Sequence, residues 1–428
     1  MVDWIPNDPR NSYNLSSAKK WTVVMLCAFS TLACSTSATI FAGAIPQMQG
    51  YFDISEEIAI LAVCLFVLGF AVGPVIWGPL SELYGRQAIY HITMGGSVLF
   101  EGTSVACGKH AIVALLILRF LAGCFSSAAI SNSPAIVSDV FIPAEQGLAI
   151  MAYMMFPFLG PTLGPVCGNF LGAGAGWRWV DVLCTIFFGV MCILGLVFLP
   201  ETYAPYLLRR RAAALSKETG KVYISKLDAT FPPKSVGLTL SIAITRPVLM
   251  AIFEPISAAM ALWAALIYAT LYLIFTGFPI IFIEHRHWSQ GLSGLAYVGI
   301  MIGQILGIPV YVFLELKYRK KIARPSVVST PEMRLEPAMW AAIMMPVSLF
   351  WFAFTSYNSI HWAVGLVGTV LFGLGNVLVF ISMTNYLIEI YSLYAATASA
   401  TNAMARASFA FALSVSCPRY FTWAGRIS

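Results

Sequence analysis

Arg119 and Glu101 each stand inside a long apolar run. A charge at such depth costs roughly 2.5 to 3.5 kcal/mol on insertion scales, so it is kept where it faces a cavity or a partner. Arg119, near the end of its run, either serves a polar pathway or snorkels to the outer headgroups. Glu101, near the middle of its run, either carries a proton or hydrogen-bonds to a neighbouring helix. Asp181 and Glu389 fall at the ends of runs and read as solvated or capping groups, while Asp139 is a helix-end group able to pair with a cytoplasmic loop. A second set of chemistry-bearing residues is the turn Gly78-Pro79-Leu80-Ser81-Glu82-Leu83-Tyr84-Gly85-Arg86. Glu82 and Arg86 are spaced as opposite charges one helical turn apart, and Gly78 and Gly85 allow close backbone approach. Such a turn is either a conformational latch or an ordinary polar hairpin. A third set is Gly160, Pro161, Gly164, Pro165 and Gly168, one small-residue face with two missing backbone donors, which suits a hinge or a tightly packed helix.

These groups need long apolar elements to hold them. The chain has 428 residues, 59% hydrophobic and 10% charged, with a mean hydropathy of +0.80. Soluble domains carry about 25% charged residues, so this is a polytopic membrane protein of the all-α class. A span needs about 20 apolar residues. Six are predicted at residues 21–44, 58–77, 89–107, 111–137, 148–171 and 180–199, and more at 256–282, 292–314, 339–354, 362–387 and, more weakly, 395–417, ten or eleven in all. The organisation is an amino-terminal tail (1–20), a first six-helix bundle (21–199), a polar central loop and approach to span seven (200–255) and a second bundle (256–428). The first run follows a polar tail and is longer than a signal core, so it stays as a span. With the amino terminus inside, eighteen of the 25 Lys and Arg fall on the cytoplasmic side, and only Lys109, Arg178 and Arg286 fall in outer loops. The net charge of +6 is therefore an orientation signal and not a nucleic-acid face. Cysteines and histidines are scattered without metal spacing, and no phosphate-cradling loop marks an ATP-driven pump. No nucleophile, base and orienting group are arranged for enzyme catalysis.

Several motifs together carry a resemblance. Beside the Gly78 to Arg86 turn stand Arg119-Phe120-Leu121-Ala122-Gly123 and Gly160-Pro161-Thr162-Leu163-Gly164-Pro165-Val166-Cys167-Gly168. Trp177-Arg178-Trp179, Pro200-Glu201-Thr202-Tyr203-Ala204-Pro205, Pro331-Glu332-Met333-Arg334-Leu335 and Tyr386-Leu387-Ile388-Glu389-Ile390-Tyr391 accompany them. From about Trp21 to Arg406 the chain resembles the major facilitator superfamily, in particular its fungal drug:proton antiporter branch with twelve spans. The resemblance implies two six-helix bundles and a substrate site between them near the midplane. It also implies a proton-linked role for Arg119 and an antiporter signature at Gly160 to Gly168. In the resembled fold the first, fourth, seventh and tenth spans line the cavity. The candidate substrate-binding residues are then Ser127 and Asn132 of span four, with Ser126 and Ser131 beside them, and Tyr268, Tyr272 and Phe278 of span seven, with Phe275.

The implied function is a proton-coupled exporter of drugs, toxins or secondary metabolites, working as a monomer in the plasma membrane amid lipid. It needs no cofactor beyond the proton gradient. A proton-linked uptake carrier and an inactive shortened paralogue are the alternatives. Two departures stand out. Branch members often carry an acidic residue where this chain has Thr276, in Leu271-Tyr272-Leu273-Ile274-Phe275-Thr276-Gly277-Phe278-Pro279, which disfavours cationic cargo and favours neutral or acidic molecules. The sequence beyond Arg406 departs from the pattern, and a twelfth span is missing, as in a truncated or frameshifted coding sequence.

Overall fold

The computed structural model describes residues 1–5, 8–226, 236–322, 330–357, 359–391 and 394–424. Lys234, Arg324 and the last four residues lie outside the described residues, as do the side chains of Thr276, Cys417 and Arg419.

Eleven long helices follow the eleven apolar runs. We number them α1 (Ser17–Ile40), α2 (Glu56–Tyr84), α3 (Arg86–Val105), α4 (Ile112–Val140), α5 (Pro143–Ala175), α6 (Trp177–Phe198), α7 (Pro255–Pro279), α8 (Tyr297–Ile322), α9 (Glu336–Thr355), α10 (Trp362–Ile390) and α11 (Ala395–Ala424). Among the described residues, nine helices are long and apolar enough to cross a membrane, and α3 and α11 are the more polar exceptions. The polar residues of α3 are hidden: Thr93, Ser97, Glu101 and Ser104 are buried where α3 packs on α4 and α6. In the first bundle α1 lies against α5 and α2 against α4. In the second, α8 and α9 flank α10, and α7 pairs with α11. The bundles meet along α2 with α11 and α5 with α8.

Local sequence explains the punctuation. The α1 run does not stop where expected but continues through a tight turn, Phe41–Ala44, into a helix, Ile45–Phe52, which ends at Asp53 in the left-handed conformation. Glu56 and Glu57 sit in the first turn of α2, where acidic groups suit the helix dipole. Gly85, at φ 94°, separates α2 from α3.

The stretch expected to be a polar loop between the bundles is corrected: it contains two helices, Ala204–Thr219 and Val236–Phe253. The second is apolar and packs on α11, α2 and α7, which charge counting concealed because Arg246 and Pro247 interrupt its hydrophobic run. The amino-terminal tail docks on the same region. Val2 exchanges backbone hydrogen bonds with Ile224 and Lys226, and Asp8 pairs with Arg211 at 2.8 Å.

Candidate functional site

Arg119 is wholly buried and does not snorkel. Its Nη1 donates to Glu101 Oε1 at 2.8 Å and to Ser37 Oγ at 3.2 Å, and its Nη2 to the Ser37 carbonyl at 2.7 Å. The rings of Phe41 and Phe66 cover the guanidinium at 4.2 and 4.4 Å. Helices α1, α2, α3 and α4 therefore share one ionic centre in the first bundle. Sequence reasoning found both charges but not their partner across α6. Asp181, expected at an interface, is instead fully buried beside Glu101 and accepts a hydrogen bond from Ser104. Its place at the start of α6 looked exposed only because the sequence does not show α3 closing over it. Two carboxylates thus face one guanidinium in a dry setting.

At the opposite end of the bundle, where α2 meets α3, the turn is organised differently from its spacing. Gly85 breaks the helix between Glu82 and Arg86, so the two charges do not share a helical face. Arg86 is buried and turns to Asp139 at the end of α4, 3.2 Å away, and to Ser81 Oγ, while Glu82 is exposed. The Tyr203 ring lies under the Arg86 guanidinium at 4.8 Å. Burial, and next the charge of Glu82, push the Tyr203 phenol above its ordinary range, so the ring stays neutral beneath the cation. Glu201 completes the knot: its carboxylate accepts from the backbone N–H groups of Arg86 and Gln87 at 2.9 and 3.2 Å, capping the start of α3. Gly85 is required here, because a Cβ would strike the Glu201 carboxylate and φ is positive. Gly78 is not, since a Cβ there meets nothing within 4 Å.

The charge partner of Arg86 is therefore Asp139 and not Glu82. Asp139→Asn should lower transport several-fold at matched abundance, because it leaves the buried Arg86 without its charge partner. Glu82→Gln should stay within about twofold of wild type, as exposed charges are worth little. Transport assays normalised to membrane abundance measure both, and the reverse ranking would restore Glu82 as the latch.

On α5, Gly160, Gly164 and Gly168 face α1. A Cβ at these positions would overlap Ser35 Oγ, Thr39 Oγ1 and the Ile40 carbonyl oxygen respectively. Pro165 has no N–H to give the Pro161 carbonyl, and Thr39 Oγ1 supplies the missing donor at 3.0 Å. Helix α5 runs unbroken through Pro157, Pro161 and Pro165. At the outer end Gln290 Nε2 donates to the Gly43 carbonyl at 2.5 Å, and Gln47 Nε2 donates to Gln290 Oε1 at 2.7 Å, tying the first bundle to the second.

The expected substrate contacts separate into two groups. The Tyr268 and Tyr272 rings lie 5.0 Å apart, tilted at 54°, and Tyr268 meets Phe380 of α10, itself 6.0 Å from Phe158 of α5, so these rings lie between the bundles. Tyr272 also borders a small void with Thr39, Cys64 and Ser414. Phe278 is packed among Phe282, Tyr297 and Phe352 inside the second bundle. Ser127 is buried where α4 meets Gly73 of α2, and Asn132 Nδ2 reaches the Trp77 carbonyl at 3.4 Å. Both make helix-to-helix contacts within the first bundle.

The family profile described as Major Facilitator Superfamily matches residues 27–414. The chain belongs to that superfamily. Among curated members, the "Efflux pump FUBT" of Fusarium oxysporum is 44% identical over 408 residues, covering 95% of this chain and 68% of the relative. The "Major facilitator superfamily multidrug transporter mdrA" of Aspergillus fumigatus is 42% identical, covering 95% of this chain and 67% of that relative. The "Citrinin biosynthesis cluster MFS transporter mrr1" of Monascus ruber is 37% identical over 418 residues, covering 95% of this chain and 82% of the relative. A crystal structure of a D-xylose–proton symporter matches the fold with a TM-score of 0.64 at 14% identity, covering 92% of this chain and 89% of that one. This major facilitator chain is thus a multi-pass membrane protein of a transporter family, not of an enzyme family. What sequence reasoning missed in it, the burial of Asp181 beside Glu101 and the capping by Glu201, depends on partners far along the chain, whereas the loop pairing open to Asp139 is met by Arg86.

Proposed function

We propose that the protein is a monomeric plasma-membrane exporter of small organic molecules, driven by proton exchange through alternating access of residues 21–199 against 256–428. The observation that carries the reading is the buried Arg119, Glu101 and Asp181 centre, set in a chain whose relatives include fungal proteins named as efflux pumps. Two carboxylates against one guanidinium hold a formal negative charge that one proton cancels, and Asp181 Oδ1, buried without a described hydrogen-bond partner, offers a place for it. Protonated from outside, Asp181 would donate to Glu101 in competition with Arg119, loosening the contact of α3 and α4 with α1. Substrate would meet the Tyr268, Phe380 and Phe158 rings between the bundles.

In sealed vesicles containing the purified chain, export should follow an imposed pH gradient and collapse on addition of a protonophore. Transport that ignores the gradient and requires ATP would overturn the reading.

A further inference from the structure

In the interior of α11 the second bundle holds a cation with no ion-pair partner among the described residues. Arg406 of α11 lies 5.0 Å from the Phe380 ring and 5.5 Å from the Tyr268 ring. Its Nε is buried, and no described residue accepts a hydrogen bond from it. The elements packed on α11 are α2, α7, α10 and the helix Val236–Phe253. Neither α7 nor α11 contains an acidic residue, and Glu389 of α10 sits at the cytoplasmic end, held by Arg334. The carboxylates of α2 are all at its two ends, Glu56 and Glu57 at one and Glu82 at the other. Glu254, beside Val236–Phe253, accepts from Tyr391 at the cytoplasmic side. Among the described residues none of these carboxylates makes an ion pair with Arg406. The contrast with Arg119, matched by Glu101 at 2.8 Å, is direct.

Other buried polar atoms of the second bundle also have no described partner. Asn376 Nδ2, one turn before Phe380 on α10, is buried without a partner. So is Gln304 Nε2 of α8, whose Oε1 accepts from Thr162 of α5 at 3.2 Å. The hydroxyls of Ser382 and Ser414, able to donate as well as accept, are also unpaired. Buried polar groups are normally satisfied, and a guanidinium whose Nε has no described acceptor, set against the Tyr268 and Phe380 rings between the bundles, implies a visiting acceptor.

We propose that Arg406 is the anion subsite of the substrate cavity, pairing with a carboxylate or similar oxyanion on a molecule whose aromatic part lies against Tyr268 and Phe380. The assignment rests on the exporter reading for the identity of its ligand as cargo. An anionic cargo neutralises the guanidinium while bound, and its departure leaves the charge unpaired, which opposes retention of an empty closed cavity.

The test uses the matched pair 2-naphthoate and 2-naphthamide at neutral pH, where only the first is charged. In cells expressing the full chain, the ratio of naphthoate to naphthamide export should favour the carboxylate. Arg406→Gln should reduce that ratio about tenfold, the value of one lost charge-assisted hydrogen-bonding partner, and Arg406→Lys should fall between. Purified wild-type protein should melt at a higher temperature with naphthoate than with naphthamide, and Arg406→Gln, still showing a cooperative melt, should lose the difference. A wild type without carboxylate preference in both assays, or an Arg406→Gln protein that keeps it, overturns the subsite. A naphthoate-specific, Arg406-dependent melting shift without export in cells supports the subsite and overturns the exporter reading.

Discussion

Glu101→Gln is expected to abolish proton-driven transport and to lower the stability of the first bundle. The carboxylate is the sole ion-pair partner of Arg119 among the described residues, and both side chains are fully buried. Removing one member of such a pair strands the other, at a cost of about 3 to 5 kcal/mol. The rings of Phe41 and Phe66 offset part of that cost through cation–π contact, and Asp181 offers a second carboxylate nearby. Arg119→Gln is therefore the harsher change, since it leaves two carboxylates without a cation. The double variant Glu101→Gln with Arg119→Gln separates folding from coupling. Two amides of similar shape can hydrogen-bond to each other and to Ser37, so the melting temperature should recover most of the loss while transport stays absent. Thermal melting in detergent and gradient-driven uptake into vesicles read the two effects. A double variant that both folds and transports would show that the pair is structural packing alone.

Arg119 and Glu101 were legible because a charge inside an apolar run is conspicuous one residue at a time. Asp181 was not, because its burial depends on α3 and α6 meeting, and those helices are separated by the whole of α4 and α5. The Gly78 to Arg86 turn was legible as a feature, but its contacts were not. Spacing alone puts Glu82 and Arg86 one helical turn apart, whereas Gly85 breaks the helix and the guanidinium reaches Asp139 at the end of α4. The spans were readable from composition within a few residues, whereas Val236–Phe253 was lost in a basic segment whose charges dominate any count. In span seven, Tyr268 and Phe278 looked equivalent on their helix, yet one lies by Phe380 between the bundles and the other in a cluster of rings, a difference set by the rotation of α7.

The second large effect is expected at Gly168. Helices α1 and α5 approach so closely that a Cβ there would overlap the Ile40 carbonyl oxygen, and a Cβ at Gly43 would overlap the Asn169 backbone nitrogen. Backbone atoms cannot swing aside as a side-chain tip can. Relief requires separating the helices, which would lengthen the Thr39 to Pro161 hydrogen bond of 3.0 Å and leave the Pro161 carbonyl with no donor. Association in a membrane relies on such packing and polar contact because lipid tails solvate apolar faces as well as protein does. Ordinary overpacking costs about 1 to 3 kcal/mol, and a clash with rigid backbone belongs above that range. Gly168→Val should therefore yield little folded protein, with a sharp drop in the monodisperse fraction after detergent extraction. Gly174→Ala is the matched control, on the same helix with nothing within 4 Å of the added carbon, and should extract like wild type. Size-exclusion profiles of the two variants at equal expression decide the matter, and a Gly168→Val protein that extracts as well as Gly174→Ala would show that the α1 and α5 contact can open without loss.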